Sequence, residues 1–384
     1  MTIDERTIYS EEPETATGSS PHSDPPARRH RKGLAALAGG LVVVVAVGLG
    51  AAGAVILRDG PAPVVIEQAA PATETIITTG SSTTGVDATA IGLAVIPSVV
   101  TVEIGQQQGD GFTQFGSGSG VVVDGGGLIV TNNHVVESAQ DVRVVLSDAR
   151  VYDAEIVGTD PLTDLAVLRI AATDLKPISF GSTAGLRVGD PAVAVGSPLG
   201  LQGGPSLTVG VVSALGREVQ TDAQTILYGM LQTDAPITSG SSGGSLVDSQ
   251  GRLIGITTAV GVSQVGVEGI GFATPIEIVE RVVTDIIADG DVDHALIGIT
   301  GTTAFADRAD GGRQPIGVEV VEVTPNSGAA GAGIEVGDVI TAFGGTRVDT
   351  MDELITVLRT YTAGDAASMD LADGTTVAVT LTTR

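Results

Sequence analysis

Ser242 lies in the run Gly240-Ser241-Ser242-Gly243-Gly244, with glycine both two places before it and two places after it. Glycines at that spacing let the backbone turn sharply and leave N–H groups free to face a developing oxyanion, as an activated serine nucleophile requires. Ser239 and Ser241 are neighbouring candidates, but only Ser242 has glycine at both positions. A serine hydroxyl is inert at neutral pH, so the pattern has chemical meaning only beside a base and an acid that orients the base. The chain has four histidines. His22 and His30 fall in an N-terminal stretch with no hydrophobic period, and His294 falls at the junction between two folded units. His134, in Thr131-Asn132-Asn133-His134-Val135-Val136, is the imidazole left inside the serine's own unit. An orienting carboxylate is offered by Asp160-Pro161-Leu162-Thr163-Asp164-Leu165-Ala166-Val167-Leu168. Asp164 stands directly before an apolar strand, from which a carboxylate can point into a buried site. Asp160 is the rival, and Pro161 places it in an exposed turn.

These side chains need short elements to carry them. From Ile91 to about Pro275 the chain alternates short apolar runs with glycine-rich turns, among them Val99 to Val102, Gly120 to Asp124, Leu128 to Thr131, Val142 to Leu146, Leu165 to Ile170 and Ala192 to Val195. With 54 glycines, no tryptophan and only ten Phe plus Tyr, the composition favours many short strands over long helices, hence a β-barrel or sandwich. Ile276 to Ala288 predicts a helix, with Ile278, Val279, Val282, Val283, Ile286 and Ile287 at helical spacing, followed by a polar breaker over Asp289 to Asp293. About Leu296 to Arg384 forms a smaller α+β unit. Its strands fall at Gly317 to Val323, Asp338 to Phe343 and Thr376 to Leu381, and its better helix starts at Thr350-Met351-Asp352-Glu353, which has the form of a capping box. The apolar face of that helix (Leu354, Ile355, Val357, Leu358) reads as core.

The N-terminal part is of another kind. Residues 1–32 are rich in Glu, Pro, Ser and Thr and read as a disordered tail ending in Arg28-Arg29-His30-Arg31-Lys32. Gly33 to Leu57 is an uncharged apolar run, long enough for the roughly 20 residues of a membrane-spanning helix. The basic cluster on its N-terminal side predicts a cytoplasmic N-terminus with the rest of the chain outside the cell membrane. A cleavable signal peptide is the competing reading, although its apolar region would span only about 7–15 residues. Residues 58–88, rich in Pro, Ala, Thr and Gly, read as a linker. A net charge of −26 excludes nucleic acid as a partner, because a phosphate backbone would be repelled. The absence of cysteine excludes disulfides and thiolate zinc sites, and with no clustered histidines in the folded part neither a metal nor a cofactor is expected.

His134, Asp164 and Ser242 come in that order, 30 and 78 residues apart in turn, which matches the two-barrel, chymotrypsin-type arrangement. The chain also resembles the HtrA (Deg-type) serine proteases over about residues 90–384. The resemblance is carried by Gly118-Ser119-Gly120-Val121-Val122, Thr131 to Val136, Thr163 to Leu168, Leu186-Arg187-Val188-Gly189-Asp190, Gly196 to Leu201, Gly210 to Arg217, Gln232-Thr233-Asp234-Ala235 and Gly269 to Ala273. It implies a mainly β protein: a trypsin-like double six-stranded barrel over 89–288 and a small α+β PDZ domain over 289–384, preceded by one transmembrane helix. It implies Ser242 as nucleophile, His134 as base, Asp164 as orienting acid, and the N–H groups of Gly240 and Ser242 as the oxyanion hole. Arg187 matches a residue that contacts an activation loop, which would fall near Gly216 to Gly229. Leu296-Ile297-Gly298-Ile299 stands at the carboxylate-binding loop of the PDZ domain, and Thr350 to Tyr361 at the helix lining its groove, where an extended C-terminal peptide adds as a strand.

The resemblance thus implies an endopeptidase for unfolded or misfolded proteins, with C-terminal peptides as partners and a homotrimer as the assembly. Where the family has Asn-Pro before the glycine, Asn before the serine and Pro after the glycines, this chain has Thr238-Ser239, Ser241 and Ser245. These changes spare every triad atom but surround the oxyanion turn and the specificity pocket. Small residues there predict cleavage after small or medium aliphatic side chains. With no carboxylate at position 241 to pair with a newly cut N-terminus, activation is expected from loop rearrangement rather than trimming. Two other readings keep the fold: a catalytically quiet peptide-binding or chaperone protein, and a sensor whose protease cuts one partner. A C-terminal unit that only shields the protease is the alternative to a PDZ domain.

Overall fold

The computed structural model describes residues 86–109, 111–197, 204–221, 225–258 and 270–383. The segments read as tail and membrane helix, and nearly all of the linker, lie outside them. The first helix is α1 (Ala88–Val95), capped by Asp87, whose carboxylate accepts from the Ala90 N–H at 2.9 Å. It occupies a stretch where the glycine-punctuated pattern suggested no helix. The cap and the burial of Ile91 and Val95, one turn apart, account for it.

Twelve strands follow in two closed barrels. The first contains β1 (Val99–Gln108), β2 (Gly111–Val122), β3 (Leu128–Thr131), β4 (Asp141–Val145), β5 (Val151–Asp160) and β6 (Leu165–Ile170), with the one-turn helix α2 (Asn133–Val136) after β3. Its strand order is β1-β2-β3-β6-β5-β4. The second contains β7 (Pro191–Gly196), β8 (Ser206–Gln220), β9 (Ile226–Thr233), β10 (Ser245–Val247), β11 (Leu253–Thr258) and β12 (Gly271–Pro275), in the order β10-β11-β12-β9-β8-β7. Closure removes exposed sheet edges.

β6 shows why these apolar runs form barrels. Alternate side chains of a strand face opposite ways. Ala166 and Leu168 join the interior cluster of the first barrel with Val100, Val102 and Ile129. Leu165 and Val167 point the other way, into a second cluster with Val193, Val195, Val247 and Ile256 of the second barrel. One strand therefore fills its own barrel and glues it to its neighbour. The same shared cluster receives α3 (Ile276–Asp289) through Ile276, Ile278, Val279, Val282, Val283 and Ile286. Ile287, expected on this face, is exposed instead. The helix ends at Gly290 in a left-handed conformation, its N–H returning to the Ile286 carbonyl at 2.9 Å.

The C-terminal unit contains β13 (Ile299–Asp307), β14 (Arg313–Val323), α4 (Gly328–Ala332), β15 (Val339–Phe343), β16 (Thr346–Arg347), α5 (Met351–Leu358), β17 (Ala366–Leu371) and β18 (Thr376–Thr380). The sheet runs β13-β14-β15-β17-β18, so among the described residues β13 is an edge strand paired on one side only. Phe343, Ile340, Val318, Met369 and Leu354 fill its core. Thr350 caps α5 by accepting from the Glu353 N–H at 3.2 Å. Glu353 returns its carboxylate to the Asp349 N–H at 2.7 Å, one residue earlier than a capping box predicts. Only Leu354 of the expected core face is buried. Ile355, Val357 and Leu358 stay half-buried.

Candidate active site

β3 delivers Asn132, Asn133 and His134 to the seam between the barrels. The Asn132 side-chain amide donates to the Asp164 carbonyl at 2.8 Å and to Thr258 Oγ1 of β11 at 3.1 Å, and the Asn133 N–H also reaches the Asp164 carbonyl, at 3.2 Å. Asp164 is itself left-handed, with φ of 56°. That conformation costs a non-glycine residue about 1–2 kcal/mol, and the bonds to its carbonyl and carboxylate hold it there. The strained backbone turns the carboxylate onto His134. Asp164 Oδ1 accepts from the His134 N–H at 2.9 Å, and Oδ2 from Nδ1 at 2.7 Å. A carboxylate only accepts, so Nδ1 carries a proton and Nε2 keeps its lone pair for a proton from elsewhere. Asp164 is buried, while the imidazole is 41% exposed. Burial disfavours imidazolium at His134, but the hydrogen bond to Asp164 and its charge outweigh that, with Glu137 adding to them, so the pKa rises.

Ser242 is buried on a turn with φ of 87° at Gly240 and 84° at Gly243. Gly243 is required twice over: its φ suits glycine, and a Cβ there would collide with the Ser119 carbonyl and the Thr131 hydroxyl. The turn meets the imidazole's element over Gly118. A Cβ at that position would lie 2.7 Å from Val135 Cγ1 and 3.2 Å from the Ser242 carbonyl.

Asp160 is not in an exposed turn. It is 3% exposed, at the end of β5, and accepts from Thr163 Oγ1 at 2.5 Å and from the Leu162 N–H at 3.1 Å. Its third partner is His294, whose Nε2 lies 2.8 Å from Asp160 Oδ1. Guanidinium groups of Arg359 and Arg281 face His294 Nδ1 at 2.9 and 3.4 Å. Those groups only donate, so Nδ1 accepts and Nε2–H donates, the opposite tautomer to His134. Burial pushes the Asp160 pKa up, but bonds from His294 and Thr163 more than reverse this, and the carboxyl sits below its ordinary range. One five-residue segment thus serves two histidines with its two aspartates. Counting histidines pointed to the first pair and gave no signal for the second.

Leu296, Ile297, Gly298 and Ile299 line a cavity of about 400 Å³ together with Met351, Leu354, Ile355 and Leu358 of α5. The half-buried face of α5 therefore turns to this groove. Tyr228 of β9 supplies part of the wall from the second barrel, a contribution no local pattern announced. Arg187 is exposed, its N–H bonded to Asp190 Oδ2 at 2.8 Å. The Gly216 to Gly229 segment expected as a loop is mostly strand, the end of β8 and start of β9. Among the described residues the Arg187 side chain makes no hydrogen bond or ion pair with it.

Comparison with known proteins fits this architecture. A trypsin-like peptidase domain matches residues 118–256 and a PDZ domain residues 291–382. Serine protease PepD of Mycobacterium tuberculosis is 33% identical over 387 residues, covering 92% of this chain and 79% of the relative. The periplasmic serine endoprotease DegP of Salmonella typhimurium is 41% identical over 272 residues, covering 69% of this chain, which spans 56% of the length of DegP. The solved structure of the HtrA-type protease AlgW with a tripeptide superposes with a TM-score of 0.62 at 31% identity, covering 77% of this chain and 97% of that one. The chain is a serine protease of the HtrA (Deg-type) family, with a trypsin-like peptidase domain followed by a PDZ domain.

Proposed function

We propose that Ser242 attacks the scissile carbonyl of an extended peptide while His134 Nε2 takes its proton and returns it to the leaving amine. Asp164 holds the imidazole in the Nδ1–H tautomer and stabilises the imidazolium. The N–H groups of Gly240 and Ser242 receive the oxyanion. The observation that carries this reading is the pair of hydrogen bonds that the Asp164 carboxylate accepts from the main chain and ring of His134, made by a backbone-strained aspartate. Fluorophosphonate labelling and casein digestion by the full-length chain test it. Wild type should label and digest, and Ser242→Ala should lose both, down to the small residual rate that binding and oxyanion donors sustain. Labelling that persists in Ser242→Ala would overturn it.

The substrates are unfolded or misfolded proteins, cut after small or medium aliphatic residues. Support comes from the small side chains between Ser239 and Gly244; strong preference after Lys or Arg would sink the idea. The groove between Leu296–Ile299 and α5 takes C-terminal peptides, which add to the unpaired edge of β13. Residues 33–57 anchor the chain in the cell membrane with the catalytic unit outside, supported by the basic cluster at 28–32. The assembly is a homotrimer, for which the exposed Leu93 of α1, beside Pro97 and Leu207, offers an apolar face.

A further inference from the structure

We propose that Ser119 and Thr257 are positioning residues of the nucleophile turn: two hydroxyl clamps, one from each barrel, of which Thr257 aims the Ser242 N–H and Ser119 fixes the Gly240–Ser241 peptide unit that lies between the two oxyanion donors. The proposal rests on Ser242 being the nucleophile. A peptide unit is planar, so its C=O and N–H point opposite ways and holding one end aims the other. The Ser242 N–H shares a unit with the Ser241 carbonyl. That carbonyl accepts from Thr257 Oγ1 at 2.7 Å and from the Gly244 N–H at 3.0 Å, which turns the Ser242 N–H away from β11. The preceding unit is held at both ends. Ser119 Oγ donates to the Gly240 carbonyl at 2.7 Å, and the Ser241 N–H donates to the Thr238 carbonyl at 2.8 Å.

Ser119 is itself fixed. Its Oγ accepts from the Ser197 N–H at 2.7 Å, so its single proton is left for Gly240. The Ser119 N–H donates to the Ser242 carbonyl at 2.7 Å, and its carbonyl accepts from Thr131 Oγ1 at 2.7 Å. Three successive carbonyls, those of residues 240, 241 and 242, are thus each bound by a group from outside the turn. Ser119 and Thr257 are 0% and 1% exposed, so neither reaches a substrate.

This chain needs such clamps for a local reason. Its turn contains two glycines at positive φ, which allow the backbone many alternatives. It also has Ser239 where the family carries a stiffening proline. Without Thr257 the Ser241–Ser242 unit would be free to rotate its N–H away from the oxyanion, and without Ser119 the adjoining unit would no longer hold the Gly240 and Ser242 donors in register. One lost donor typically costs about 10²–10³ in turnover.

The test uses the full-length chain and fluorescein-labelled casein, with kcat, KM, the fluorophosphonate labelling rate and the unfolding temperature measured for each variant. Ser119→Ala and Thr257→Val remove one hydroxyl each, and Thr257→Ser keeps it. Each hydroxyl deletion should lower kcat and the labelling rate by about 10- to 100-fold with KM nearly unchanged, as expected for misaligned groups. Thr257→Ser should recover most of the loss, and the pH at which activity rises should not move, because the His134–Asp164 bonds are untouched. Unchanged kcat in both deletions would overturn the proposal. So would a loss that follows the folded fraction and is not recovered by Thr257→Ser. Turnover persisting in Ser242→Ala would remove the nucleophile assignment beneath the clamps, a failure distinguishable from either.

Discussion

In the proposed mechanism His134 must be neutral to accept a proton from Ser242, and its pKa lies above the ordinary histidine value of about 6.5 because Asp164 more than offsets the effect of burial. The sign follows: activity is suppressed below that raised pKa and grows as pH rises through it. The kcat/KM profile should therefore show its acidic limb above pH 6.5. Asp164→Asn removes the charge and the tautomer control, so kcat at pH 8 should fall by about 10⁴-fold. A limb centred below 6.5, or an Asn variant with near-normal kcat, would contradict the arrangement. The His134–Asp164 pairing and the turn at Ser242 follow short, local patterns in the sequence: a strand end for His134, a strand start for Asp164, a glycine turn for Ser242. Asp160 was misplaced for the opposite reason. Pro161 describes its local turn correctly, but its burial is decided by His294, 134 residues away.

Among the elements, α5 separates stability from recognition. Leu354 is 1% exposed in the C-terminal core, so Leu354→Ala should cost about 2–5 kcal/mol in denaturant unfolding. Thr350→Ala removes only the cap and should cost about 1 kcal/mol. Ile355 is half-buried and lines the groove, so Ile355→Ala should leave unfolding nearly unchanged while weakening capture of a C-terminal peptide, measured by fluorescence anisotropy. Equal losses of stability in Ile355→Ala and Leu354→Ala would place both in the core. The helix itself was readable from its cap and spacing. Which partner its apolar face would meet was not, since periodicity records that a face is apolar and not what covers it. Barrel strands fared better: the unbroken apolar run from Leu165 to Leu168 suits a strand buried on both faces, and the second barrel supplies the other cover.

At the scale of the molecule, the two folded units meet through a buried carboxylate–imidazole pair. The side chains of His294 and Asp160 are 7% and 4% exposed, so removing one partner leaves an uncompensated polar group. His294→Ala should cost about 3–5 kcal/mol at neutral pH. The Asp160 pKa is depressed in the folded state, so its contribution is complete above the unfolded value of about 3.9 and is lost as pH falls through the lower folded value. Thermal melts from pH 7 to 2 should show that acid sensitivity in wild type and a weaker one in Asp160→Asn, which keeps the shape. Identical acid limbs would show that the pair contributes nothing.

The segment from Asp160 to Asp164 acts as a gauge of fixed length. One end is pinned by His294 and the other by His134, and Thr163 ties the interior back to Asp160. An added residue could not be absorbed by bulging outward, because both ends are buried and both carboxylates are aimed. It would shift either the domain junction or the carboxylate aimed at His134. Variation among related chains should therefore spare the length of this segment, while surface hairpins elsewhere in the barrels remain free to grow.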